Sequence, residues 1–229
     1  MCGRFSLFVP PGILEERFDA EVAGTYVPRY NVAPRDDVAA IRNDDPETID
    51  ALSWGLVPDW VDDPDDFPRP INARAETVAE KPSFRDAFAE RRCLVLADGF
   101  YEWTGRRGSK QPYRIVRTDG EPFAFAGLWE TWGSNGGTLR TTTIVTTAAN
   151  ETVGAIHDRM PVILERDEER PWLSGGDPDV LQSMLHPYPD GELDAYPVST
   201  AVNDPSHDSP DVVEPVDVDE QSGLGQFGC

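Results

Sequence analysis

Short runs of β-branched and aromatic residues, separated by glycine, proline and acidic turns, dominate the middle of the chain. TYVPRYNVAPRDDVAAI reads as a loop entering a strand. TIDALSWGLVPDW reads as a strand up to Gly55 that turns at Pro58, and CLVLADGFYEWT as a buried strand followed by a second. After the GRRGSKQ turn, strands are predicted in PYRIVRT, PFAFAGLWETW and TLRTTTIVTTAAN, with a last one in DAYPVSTAV. Helical spacing is brief. LFVPPGILEERFDA places Ile13, Leu14 and Phe18 on one face, and KPSFRDAFAERR predicts a helix capped by Ser83. ETVGAIHDRMPVIL predicts a short helix, a turn at Asp158 and Arg159, then a strand; DEERPWLSGG and DPDVLQSML read as helical pieces. There is no internal repeat. From Ser206 the chain is acidic and turn-rich without an apolar period, which predicts a disordered tail over 206–229 behind one domain over 1–205. The pattern as a whole predicts an α+β domain, a curved or barrel-like, mainly antiparallel sheet with several short helices.

Composition narrows the setting. The chain has 229 residues, 39% of them hydrophobic, which suits one domain with its own core. No apolar run approaches the ~20 residues of a membrane helix, and MCGRFSLFVPPG lacks a signal-peptide pattern. A cytoplasmic, nucleoid-associated monomer without membrane contact is expected. The net charge of −22 includes only two lysines, Lys81 and Lys110. Near 1 M salt the Debye length shrinks to about 3 Å and screens such self-repulsion, so the composition fits a halophilic cytoplasm. The same charge opposes long-range steering to nucleic acid, although a few arginines lining one cleft still hold phosphates at short range. The cysteines are Cys2, Cys93 and Cys229. An odd number without CxxC spacing speaks against a disulfide framework and a zinc site, and no metal or organic cofactor is expected. Cys93 opens an apolar run and reads as a small core residue.

Cys2 has the unusual position. Removal of the initiator methionine before a small residue leaves an α-amine and a thiol on one residue. Their reference pKa values, about 7.7–8.0 and about 8.5, put both partly in nucleophilic form near neutrality. A 1,2-aminothiol condenses with an aldehyde, the amine forming an imine and the thiolate closing a thiazolidine ring. The alternative chemistry is attack on a peptide carbonyl with the amine as base.

Cys2 is accompanied by MCGRF, RYNVAP (29–34), WGLVPDW (54–60), INARAET (71–77), ADGFYEW (97–103) and IHDRMP (156–161), in this order. KQPY, GLWETW, IVTTAAN and YPVSTAV add to them. Together these segments closely resemble the SRAP family of SOS-response-associated peptidases or abasic-site-processing proteins, from residue 1 to about residue 203. The resemblance implies a thiazolidine crosslink between Cys2 and the ring-opened abasic sugar in single-stranded DNA. It also implies autocatalytic removal of the residue before Cys2; the imine stage can in addition drain into strand cleavage by β-elimination, a weak lyase activity, and replication machinery is expected as a further partner. By motif, the implied catalytic residues are Cys2, Asn72, Glu102 and His157. Glu102 suits general acid and base work, His157 proton movement, and Asn72 hydrogen bonding to the amine or sugar. Read without the resemblance, Glu102 fits the outward residue of a strand and Asn72 a structural hydrogen bond. Arg4 and Arg74 match phosphate-holding positions, Arg159 is a further candidate, and Trp60 offers a stacking surface. Trp54, inside a strand, is expected to be buried. Well-known bacterial members carry an aromatic where this chain has Val61, and the loop beyond it carries Asp62, Asp63, Asp65 and Asp66. The rival readings are a self-processing cysteine peptidase and a non-covalent binder of single-stranded or modified DNA.

Overall fold

The computed structural model describes residues 2–106, 109–134 and 137–218. It opens with β1 (Phe5–Leu7) and helix α1 (Pro11–Phe18). Pro11 sits where a helix needs no backbone donor. Leu14 and Phe18, four residues apart, face the core, whereas Ile13 is exposed, so the apolar face is narrower than the sequence predicts. β2 (Glu21–Val22), β3 (Arg29–Val32), β4 (Asp37–Arg42), β5 (Asp45–Trp54) and β6 (Asn72–Arg74) follow. β3 is a strand where only a loop is predicted. Helix α2 (Arg85–Glu90) begins from Phe84 with no side-chain cap, so Ser83 does not cap it. Then come β7 (Arg92–Ala97), β8 (Gly99–Arg106), β9 (Ser109–Arg117), β10 (Phe123–Ser134), β11 (Gly137–Ala148), α3 (Glu151–Gly154) and β12 (Arg159–Pro161). α4 (Arg166–Ser174), α5 (Pro178–Ser183) and β13 (Leu193–Pro197) complete the regular elements.

Five strands in the order β11-β10-β7-β4-β5 close into a barrel through a parallel contact that pairs Ser53 with Thr141 and Trp54 with Thr142. The other barrel pairings are antiparallel. A second antiparallel sheet runs β13-β9-β8-β1-β3. The predicted α+β class and barrel-like sheet are therefore present. Edge-to-face rings join the two sheets: Phe5 lies 5.1 Å from Trp54 and 5.7 Å from Phe125, and Phe100 lies 6.1 Å from Phe125. Trp54 and Cys93 are buried in this core, as expected.

Arg92 is a buried cation held by carbonyls. Its guanidinium donates to Phe88 O (2.8 Å) and Ala89 O (2.6 Å) near the end of α2, and to Trp172 O (2.8 Å) in α4. Burial lowers its pKa. Arg92→Ala is expected to strand these acceptors at about 1–3 kcal/mol each, less whatever water recovers. A urea titration should therefore lose several kcal/mol; an unchanged midpoint would disprove this role.

The C-terminal segment departs from expectation as far as it is described. Asp208 accepts hydrogen bonds from Tyr30 N (2.6 Å) and Asn31 N (2.9 Å) on β3 and pairs with Arg29. Val212 is buried with Tyr101, Val198 and Val202, and Val198 bridges Pro215. Two hydrogen bonds to backbone N–H groups, one ion pair and a buried valine are among the contacts that hold residues 206–218 on the second sheet. The rest of the predicted tail, 219–229, lies outside the described residues.

Candidate active site

Cys2 enters β1 fully buried, with its thiol 4.0 Å from Arg4 O. Its carbonyl accepts a hydrogen bond from Asn72 Nδ2 at 2.7 Å. Asn72 is fixed by the pairing of β6 with β11, where it lies opposite Ile144. Its other side-chain atom, Oδ1, is buried without a protein partner. A buried carbonyl oxygen with no donor is costly and marks a place for one.

β8 runs antiparallel to β1, with Phe100 opposite Phe5 and Tyr101 N donating to Arg4 O at 3.0 Å. Alternation along β8 puts Glu102 on the same face as Phe100, between the sheets. Tyr101 and Trp103 take the other face and pack under residues 198–213. Glu102 is 3% exposed, which overturns the reading of it as an outward strand residue. Burial pushes its carboxyl up to about 7, against the opposing charges of the N-terminal ammonium and Lys110. Burial also pushes the Cys2 thiol far above its ordinary range, with the Glu102 charge adding to the effect. The reference thiol value does not hold here, so the thiol needs a base.

His157 follows α3. Its Nδ1 accepts from Arg159 N at 3.0 Å, which requires a lone pair there and leaves the ring proton on Nε2. Asp158 Oδ1 also lies 3.0 Å from Nδ1, a contact that favours the imidazolium. Burial, and after it the N-terminal positive charge, outweigh it, and the pKa of His157 is lowered. Asp158 and Lys110 act electrostatically on both Glu102 and His157. Lys110, on β9 opposite Gly105, is the residue that sequence reasoning passed over; its only signal was that the chain has two lysines.

The phosphate candidates divide. Arg74 is exposed at the end of β6, two residues beyond Asn72. Arg4 is half-buried and commits Nη1 to Asn31 Oδ1 and Val202 O, both at 2.7 Å. Arg159 is held by both oxygens of Glu76 and by Thr146 O at 2.6 Å. Its planar fork is already occupied, so a phosphate would have to displace a carboxylate. Trp60 is 57% exposed, and the ring of Phe67 stands edge-on to it at 5.7 Å. Phe67 thus packs against Trp60 from across the loop. Val61 instead accepts Trp132 Nε1 at 2.6 Å.

Among the described residues, Glu165, Glu168 and His186 form one group with metal-ligand spacing. The two glutamates already close the capping box of α4, and His186 bonds Glu168, so the group is accounted for without an ion. No helix of the described residues is long and apolar enough to cross a membrane.

A barrel that buries the second residue of its own chain, tethers that residue's carbonyl and sets a protonatable carboxyl beside its thiol makes the start of the chain the candidate site. The chain belongs to the SOS response associated peptidase (SRAP) family, whose model matches residues 1–205. It is 45% identical over 222 residues to the abasic site processing protein YoqW of Bacillus subtilis, covering 93% of this chain and 99% of that protein. It is 31% identical to the abasic site processing protein HMCES of Xenopus tropicalis, covering 86% of this chain and 69% of that protein. A solved structure from Bacteroides thetaiotaomicron superimposes with a TM-score of 0.86 at 27% identity, covering 94% of this chain and all of that one.

Proposed function

We propose that this chain processes abasic sites in single-stranded DNA by bonding covalently through Cys2. The observation that carries the reading is the grip of Asn72 on the Cys2 carbonyl beside a buried, unpartnered oxygen. That oxygen can accept a hydrogen bond from the α-amine of Cys2 or from a sugar hydroxyl. Once Met1 is removed, the amine adds to the C1′ aldehyde of the open sugar, and loss of water gives an imine. Glu102, protonated, supplies the proton for that departure; ionised, it takes the thiol proton as sulfur adds to the imine carbon and closes the ring. The balance is one amine, one thiol and one aldehyde giving a thiazolidine and one water. Neutral His157 presents Nε2–H as a donor. Arg74 and Arg4 hold phosphates, Arg159 buttresses β12 against Glu76, and Trp60 stacks on an unpaired base.

The same carboxyl beside the same thiol supports self-processing, in which the Cys2 sulfur attacks the carbonyl of Met1, the Met1–Cys2 C–N bond breaks to free the α-amine, and water hydrolyses the resulting thioester to release methionine. Diversion of the imine into β-elimination would give weak strand cleavage. Replication, which exposes single strands, is the expected setting, at the nucleoid. The test is intact mass of the protein before and after incubation with single-stranded DNA carrying one abasic site, in molar salt. Loss of Met1 and a stoichiometric adduct at Cys2 are expected. A processed Cys2 without adduct would sink the crosslinking reading in favour of a peptidase or a non-covalent binder. A chain that keeps Met1 and forms no adduct would sink it as well.

A further inference from the structure

Most arginines of this acidic chain meet a carboxylate within 4.0 Å, among them Arg17, Arg29, Arg42, Arg91, Arg114 and Arg159. Two that do not, among the described residues, are Arg35 and Arg69, and both adopt left-handed backbone, with φ of 76° and 49°. Outside glycine, asparagine and aspartate this conformation is uncommon and costs about 1–2 kcal/mol. Arg69 also precedes Pro70, a position pushed towards extended backbone. Glycine or asparagine would be the easier residue at both points, yet both are arginine.

The two converge on the end of β5. Arg35 N donates to Trp54 O at 2.8 Å, and Ser53 Oγ approaches Arg35 O at 3.5 Å. Arg69 Nη2 donates to the same Ser53 Oγ at 2.9 Å. The segment carrying Arg69 crosses so closely that a Cβ on Gly55 would lie 3.1 Å from Arg69 O; Gly55 has φ of 134°. The Arg35 charge also lowers the pKa of Arg69, after burial as the larger cause, while Asp65 acts the other way from beyond ion-pair distance. Arg35 is exposed and Arg69 half-buried.

Their place relative to Cys2 follows from strand register. Trp54 pairs with Thr142 on β11, and Asn72 pairs with Ile144 on the same strand. Two residues of β-strand separate these points, about 7 Å. Trp54 Nε1 also donates to Ile71 O, next to Asn72, at 3.0 Å. An anion seated between Arg35 and Arg69 would lie near the reacting sugar, on the flank of β11 that carries Asn72.

We propose that Arg35 and Arg69 form a phosphodiester-binding subsite that grips the DNA backbone about one nucleotide from the lesion. The subsite rests on the abasic-site reading above and deepens it. Backbone strain at two arginines is tolerated here because the fold holds two guanidinium groups that make no ion pair among the described residues and are open to an anion that the substrate supplies.

The test is equilibrium binding of the full chain to single-stranded DNA carrying a tetrahydrofuran lesion, which lacks the aldehyde, over a range of salt. Arg35→Asn with Arg69→Asn is compared with wild type and with a control, Arg85→Gln with Arg170→Gln, which removes two exposed arginines elsewhere. Loss of two phosphate contacts on a single strand should make the slope of log K against log salt shallower by about 1.4, and affinity at about 0.15 M salt roughly tenfold weaker. The control should match wild type, and Arg35→Lys with Arg69→Lys should recover much of the affinity. Thermal stability should hold, since asparagine accepts left-handed backbone; this separates charge from fold. An unchanged slope and affinity in the Asn pair would overturn the subsite while leaving the abasic-site reading intact. Wild type that fails to bind this DNA would remove that reading and the subsite with it.

Discussion

Cys2→Ser is expected to abolish every DNA adduct that survives denaturation without a reductant, while leaving an adduct that borohydride traps. Serine is small enough for methionine removal, so the α-amine remains and still condenses with the abasic aldehyde. What is lost is the sulfur that closes the ring. A hydroxyl oxygen is a far poorer nucleophile than a thiolate, and any ring it forms reopens. The fold should tolerate the change. Cys2 is buried in the core that joins the two sheets, but Arg4 O lies beside its side chain and offers the new hydroxyl an acceptor. The remaining cost of burying an oxygen is about 1–3 kcal/mol, and a melting curve would reveal a larger loss. Denaturing gels with and without borohydride give the readout. A stable adduct without reductant would assign the bond to another nucleophile. Lys110, which shares the electrostatic surroundings of Glu102 and His157, would be tested before Lys81. Absence of the trapped adduct as well would show that the amine does not reach the sugar.

Much of this site is legible in the sequence because its chemistry is tied to residue type at fixed positions. Cys2, Asn72, Glu102 and His157 each sit in a short segment that is weak alone and specific only with the others in order, and the approach to β1, β6, β8 and the turn before β12 carry them. Their environment is less legible. Nothing local says that residues 198–213 will cover Tyr101 and Trp103 on one face of β8 and so send Glu102 inward. Nor does the sequence show that a buried thiol loses the acidity of a free one. Arg159 looks like any phosphate-binding arginine until Glu76, far away in sequence, is found in its fork. Ser83 satisfies the composition of a cap, but the chain turns into α2 one residue later and its side chain makes no cap bond. Residues 206–218 fail every test of apolar periodicity because their attachment is polar, through Asp208 to backbone N–H groups. Contacts between residues distant in sequence account for most of these differences, and periodicity does not report them.

Glu102→Gln carries the second large effect, and its sign differs between activity and stability. The carboxyl is raised from 4.5 to about 7 by burial. As an acid it must be protonated to release water from the carbinolamine, and as a base it must be ionised to accept the thiol proton. Crosslinking by wild type should therefore peak near pH 7, where both forms are present. Glutamine does neither, so the rate should fall by about 10²–10⁴-fold, the usual contribution of general acid–base catalysis, and the pH peak should vanish. Stability moves the other way. A folded-state pKa above the unfolded value means that the folded chain binds the proton more tightly. This contribution is complete below pH 4.5 and is lost as pH rises through about 7. At pH values above that, the ionised carboxylate costs the fold up to about 3 kcal/mol relative to a neutral group. Glutamine removes that cost, so the variant should melt several degrees higher than wild type at alkaline pH, at about 2–4 °C per kcal/mol for a chain of this size. Near pH 4 the two should melt together. A variant destabilised at alkaline pH would mean that the Glu102 charge is paired well enough to hold the fold, and its role as a proton carrier near neutrality would fall with that result. A variant that crosslinks at the wild-type rate but melts higher would make Glu102 a buried charge without a part in the chemistry, and would move the search for the base to His157.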